Sequence, residues 1–198
     1  MLKKILGLFL IFVQIPMIGW SVNETKRWII DPLSNVAGIA PESTKEDLVR
    51  IFGEENVQRY EVPVGEGMTV EGTRIYGGTE NEILIEWKRD TEAPERITIQ
   101  RPGAKWKTKE GITIGTTLDQ LEKSNGRSFM VTGFGWDYAG RSVSREGGKL
   151  PPQLQLDFDY IRLSPKEESQ VRGEGPFLSN HPIMKKKALK VQTLYIRW

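Results

Sequence analysis

The residues with the types and spacing for chemistry fall in two short stretches of the chain and one loop. Asp157 and Asp159 lie two apart in the run Gln153 to Tyr160, where apolar and polar residues alternate. In an extended strand such residues share a face, so with Asp137 they could bind Ca²⁺ or act as paired carboxylates. The same alternation puts Leu154, Leu156, Phe158 and Tyr160 on one side and Gln153, Gln155, Asp157 and Asp159 on the other. We read the aspartates as the wet face of an amphipathic strand. His181 could serve as a general base, but it sits among the loop-forming residues Leu178 to Pro182 and reads as a surface histidine. Phe134, Trp136 and Tyr138 recur at period two, so in a strand they point one way. Gly133 and Gly135 leave the other face, which Asp137 shares, nearly bare for another backbone or a ligand. Trp and Tyr concentrate binding energy at interfaces. Phe134, Trp136, Asp137 and Tyr138 are therefore the candidate binding residues, with Trp136 expected to be buried and Tyr138 or Asp137 to reach solvent beside a groove.

Composition removes much other chemistry. The chain has 198 residues, no cysteine and one histidine. Disulfides, zinc ribbons, iron–sulfur centres and thiol catalysis are excluded, as is any site built on two histidines. Gly65-Glu66-Gly67 and Gly173-Glu174-Gly175 precede no helix, so they are not phosphate-binding loops. No metal, cofactor or nucleic-acid partner is expected. The net charge of +2 owes both units to Lys3 and Lys4. These lysines precede an apolar run from Ile5 to about Trp20 that holds Gln14 and Pro16, and Gly19 and Ser21 offer small residues for a cut after Ser21. This order is that of a secretory signal, and the run is too short and interrupted for a membrane span. Residues 1–21 read as a signal peptide, giving an exported bacterial protein of the periplasm or cell exterior with no membrane span after signal removal.

The elements that must position the candidates follow. Residues 22–37 form a lead-in with no clear period. Ser43 to Gly53 reads as a helix capped by Ser43, with Glu46 completing a capping box. Thr116 to Gly126 reads as a second, capped by Thr116 with Asp119 at the third helical position. The two stretches align at an offset of 73 residues (Gly38-Ile39 on Gly111-Ile112, Thr44 on Thr117, Leu48 on Leu121, Gly53 on Gly126), which suggests an internal repeat. Strand signals follow each helix: Tyr60–Val64, Thr69–Tyr76, Glu82–Lys88 and Arg96–Gln100, then Ser128–Tyr138, Arg141–Arg145, Gln153–Leu163 and Leu189–Trp198. The expected fold is α+β, with two modules at 38–103 and 104–198, each a short helix on an antiparallel sheet of about four strands. Ser164 to Ala188 reads as one long loop, 164–188, with Lys185, Lys186, Lys187 and Lys190 as a solvated basic run. Residues 40–100 carry 7 basic and 14 acidic groups, and residues 101–198 carry 17 and 10. This opposition suggests that the halves attract across their interface.

A short helix with a Ser/Thr cap and a terminal Gly, preceded by Ile and Gly and followed by a meander, resembles the module of the SmpA/OmlA outer-membrane lipoproteins. Tandem copies resemble the β-lactamase-inhibitor-protein fold. The second copy carries Ile112, Gly115, Thr117, Leu121 and Gly126, whereas Glu42 replaces the Gly in the first. The stretch Gly111 to Gly140 is also similar to uncharacterised secreted bacterial proteins. The resemblance implies a non-catalytic, protein-binding module of the cell envelope. The expected function is binding of another protein or an envelope component. The alternative is a small hydrolase or glycan-active enzyme using Asp137, Asp157 or Asp159.

Overall fold

The computed structural model describes residues 28–136, 138–159 and 163–198. The expected signal at 1–21, Asp137 and Tyr160 lie outside the described residues. The chain is α+β. Its centre is a six-stranded antiparallel sheet of β3 (Val57–Gly65), β4 (Met68–Ile75), β5 (Ile83–Trp87), β6 (Pro94–Ile99), β10 (Leu154–Phe158) and β12 (Val191–Arg197), in the order β10-β12-β6-β5-β4-β3. Both halves supply strands to it. They meet where Ile97 pairs with Ile196 and Ile99 with Leu194, all four essentially inaccessible to solvent. Outside this sheet, β8 (Met130–Thr132) lies between β9 (Ser142–Ser144) and β11 (Pro176–Leu178). The lead-in is more ordered than its lack of period implied. Its strands β1 (Ile29–Asp31) and β2 (Asn35–Val36) pair together, and β1 also runs parallel to β7 (Lys107–Thr108). Ile30 and Val36 enter the core there.

The two helices form where expected, each with its cap one residue later. In α1 (Lys45–Phe52) Thr44 accepts from the Asp47 amide and Asp47 accepts from the Thr44 amide; in α2 (Leu118–Asn125) Thr117 and Gln120 do the same. Ser43 and Thr116 have a different task. Their hydroxyls accept from the Ala40 and Thr113 amides, each at 2.9 Å, and so shape the turn before the helix. Leu48 and Leu121 are both fully buried. Eight residues make a helix too short to persist in water, so docking of these leucines into the core holds each one in place.

The stretch 164–188 is not a loop. It folds as α3 (Pro165–Val171), β11 and α4 (Pro182–Lys187), with Ser164 and Glu167 forming a third capping box. Proline at the first helical position of α3 and α4 marked starts that the short length and mixed charge concealed. His181 is the N-cap of α4, where its ring nitrogen accepts from the Ile183 amide at 3.3 Å. Nor is the basic run merely solvated: Lys185 pairs with Asp119 and Glu122 on α2, and Lys186 with Glu167 on α3. Among the described residues, every ion pair within the two modules joins residues of the same module. The opposed charges therefore form no ion pair at the seam: there Arg197 acts on the Glu86 carboxyl only through its charge, Arg96 lies against the Tyr195 ring, and the core face is aliphatic packing on hydrogen-bonded backbone.

Candidate functional site

On the central strands the residues alternate between the core and the opposite face. Gly72, Glu86, Arg96 and Arg197 form one row across the opposite face; Arg74, Leu84, Thr98, Tyr195 and Gln155 form the next. Strands β3 and β10 are the two edges of the sheet, yet Val62 to Gly65 and Asp157 line a single hollow of about 260 Å³. A flat sheet would hold these edges roughly 24 Å apart at about 4.8 Å per strand, so the sheet must be strongly coiled. Gly72 is one cause. A Cβ at that position would stand 2.4 Å from a Val62 methyl and from the Ile85 carbonyl oxygen, so only glycine lets the β3–β4 arm fold over the face. As a result Val62, Leu84 and Thr98 are buried although they lie opposite the core.

Tyr195 is at the centre of this hollow, with a guanidinium on either side. Arg96 lies 5.3 Å and Arg141 5.5 Å from its ring centre, within cation–π range. Arg141 grips Asp157 through two parallel hydrogen bonds, Nε to Oδ1 at 2.8 Å and Nη2 to Oδ2 at 2.7 Å. The Tyr195 hydroxyl donates to the same Oδ2 at 3.2 Å. Arg96 forms an ion pair with Glu86. Burial raises the Glu86 carboxyl above its ordinary pKa, against the pull of Arg96. Burial, then the Asp157 charge, likewise raises the Tyr195 phenol. The bond to Asp157 raises the Arg141 guanidinium still further.

The predicted aromatic row is not a strand. β8 ends at Thr132, because Gly135 and Gly140 take positive φ and turn the chain back. The Thr132 hydroxyl pins this turn, donating to the Tyr138 carbonyl at 2.7 Å and accepting from the Arg141 amide at 2.8 Å. The bare face of Gly133 receives another backbone, for a Cβ there would lie 2.5 Å from the Val171 and Gly173 carbonyl oxygens. The aromatics consequently diverge. Phe134 is buried in the core, Trp136 is half-buried with its indole donating to the Gly133 carbonyl, and Tyr138 is 43% exposed. Trp136 meets Tyr138 edge-on at 5.5 Å, and Arg141 covers the Tyr138 ring at 5.0 Å. Tyr138 thus stands on the rim of the hollow and Phe134 does not line it.

Asp157 and Asp159 part company at an irregularity in the pairing between Asp157 and Phe158. Asp157 enters the hollow, whereas Asp159 accepts from the Lys190 amide at 2.7 Å. Sequence reasoning missed Arg96, Arg141 and Tyr195. The alternation of β6 and β12 placed Arg96 and Tyr195 off the core, but only the pairing of distant strands makes them neighbours. Among the described residues, no group of three or more His, Asp or Glu residues could hold a metal ion, and no helix is long and apolar enough to cross a membrane. No family model matches the chain, and neither does any curated protein or solved structure.

Proposed function

We propose that this is an exported, non-catalytic binding protein of the bacterial cell envelope, built from two related helix-and-sheet modules, whose coiled sheet face receives another protein or an envelope component. One observation carries the reading. The hollow is floored by Tyr195 between two guanidiniums and rimmed by a partly exposed Tyr138, while its carboxylate, Asp157, is engaged by Arg141, and Arg96 is held from behind by Glu86. Aromatic and Arg side chains held rigid on a scaffold suit recognition, because little side-chain freedom remains to be lost on binding. A hydrolase would need converging carboxylates with one free to move a proton. Asp157 is held by three hydrogen bonds and Asp159 does not line the hollow. The tandem reading draws support from the matching turn and capping hydrogen bonds before α1 and α2, whose residues stand 73 apart (113 less 40, 117 less 44).

Site-specific photo-crosslinking tests this reading in envelope-bearing cells. A crosslinker at position 138 should capture a discrete envelope partner that one at the exposed position 123 on α2 does not, and Arg141→Ala in the same chain should reduce the capture. Equal products from both positions, or none from 138, would overturn it. Export is tested by the mass of the protein in the periplasmic fraction, which should begin near Val22.

A further inference from the structure

We propose that the outer edge of β3 is where the chain pairs with a second copy of itself, strand to strand, about a two-fold axis at Tyr60. Strand β3 ends the six-stranded sheet, and the bonds on its inner side show which of its backbone groups are spare. One step before the pair of Val57 with Ile75, the Asn56 carbonyl accepts from the Tyr76 amide at 3.0 Å. Hydrogen-bonded and non-hydrogen-bonded pairs alternate in an antiparallel ladder. Gln58, Tyr60 and Val62 therefore exchange bonds with β4, while Val57, Arg59, Glu61 and Pro63 turn their backbone groups to the open side. Pro63 fits this alternation, since the donor it lacks is one that β4 does not need. Among the described residues, no hydrogen bond reaches the outward N–H and C=O of Arg59 and Glu61.

The side chains of this stretch select a second copy of the chain as the occupant. Glu61 stands directly opposite Glu71 across β3 and β4, a like-charged pair that costs stability. Glu71 takes both nearby cations, Arg59 at 2.8 Å and Lys45 at 3.7 Å. Glu61 is left with the Thr69 hydroxyl at 3.2 Å and no ion pair among the described residues. The Arg59 side chain is 74% exposed and Glu61 is exposed, so both are within reach of another molecule. An antiparallel copy centred on Tyr60 sets Arg59 of each chain opposite Glu61 of the other. The outward N–H and C=O groups of both residues then close into hydrogen-bonded pairs, and each Glu61 gains a guanidinium on its open side. On the opposite face Tyr60 meets Tyr60 in a non-hydrogen-bonded pair, where side chains stand closest, and Arg74 already backs each ring at 4.5 Å. Moving the axis to Arg59 or to Glu61 would place like charges face to face, and moving it past Glu61 would call on the N–H that Pro63 lacks. Roughly seven residues a side is well below the 20–30 of a standard interface, so the dimer is a weak one that forms at high concentration. Neither Arg59 nor Glu61 lines the hollow over Tyr195, so this pairing and the binding proposed there stand or fall separately.

Analytical ultracentrifugation of the full chain at up to about 1 mM tests this, with amide hydrogen exchange on the same samples. The wild-type chain should move from monomer towards dimer as its concentration rises, and exchange at the Arg59 and Glu61 amides should slow in step. Arg59→Glu and Glu61→Arg should each weaken the dimer at least about ten-fold, since each sets like charges opposite one another. Mixed in equal amounts, the two variants should pair again, because residue 59 of each then faces an opposite charge at residue 61 of the other. That recovery also shows that both variants fold. A wild-type chain that stays monomeric, or a dimer that survives either charge reversal, would overturn the proposal. So would variants that stay apart when mixed, or association that leaves the two amides exchanging freely.

Discussion

Arg141 shows how much one side chain can carry. Its two bonds to Asp157 and its stacking on Tyr138 and Tyr195 all require a planar guanidinium, so lysine is not a conservative replacement. The pair is about one-fifth exposed on each side, which moderates its energy by solvent screening. Arg141→Lys should lower stability by about 1–3 kcal/mol in chemical denaturation. Tyr195 gives a pH signature. The folded chain holds the phenolic proton more tightly than the unfolded chain, whose pKa is near 10. Its contribution is therefore complete below that pH and is lost as pH rises through the higher folded value. Between about pH 9 and about pH 11, Tyr195→Phe should lose less stability than the wild-type chain.

The elements were the most legible part of the chain. Capping residues, a buried leucine and a terminal glycine act within one or two turns, so local sequence located both α1 and α2. The caps were misplaced by one because Ser43 and Thr117 are each flanked by a second hydroxyl residue, and only backbone geometry decides which one faces the helix. What failed locally failed for a non-local reason. The strand proposed through Tyr138 is broken by the positive φ of Gly135 and Gly140, and the bare face at Gly133 is taken by the 171–173 backbone, about forty positions away. Leu48→Ala and Leu121→Ala should each cost about 2–5 kcal/mol, since both are fully buried. Thr44→Ala and Thr117→Ala should cost about 1 kcal/mol each. Urea titration of the four variants checks this, and matching losses at matched positions are what a tandem origin requires.

For the whole molecule, the seam between β6 and β12 decides behaviour. Because both halves share one sheet and one continuous core, thermal unfolding should follow a single transition by fluorescence and by circular dichroism. Residues 38–103 expressed alone should fail to give a stable monomer, since β6 would present a bare edge with Ile97 and Ile99 uncovered. Resolved transitions, or a folded fragment, would show the modules to be autonomous. The hollow over Tyr195 depends on the same seam: Arg96 and Tyr195 are 99 positions apart (195 less 96) yet lie on adjacent strands.

The place of β12 in the sheet also sets a clock. It lies between β10 and β6, but it is made after every other described strand. At roughly 5–20 residues per second, β6 waits about 5–20 s for its neighbour to be synthesised. Throughout that interval β3 to β6 form an unfinished ribbon, open to whatever factor escorts the nascent polypeptide. Stalled chains that end before Val191 should accordingly remain protease-sensitive, and chains that carry Val191–Arg197 clear of the ribosome should become resistant.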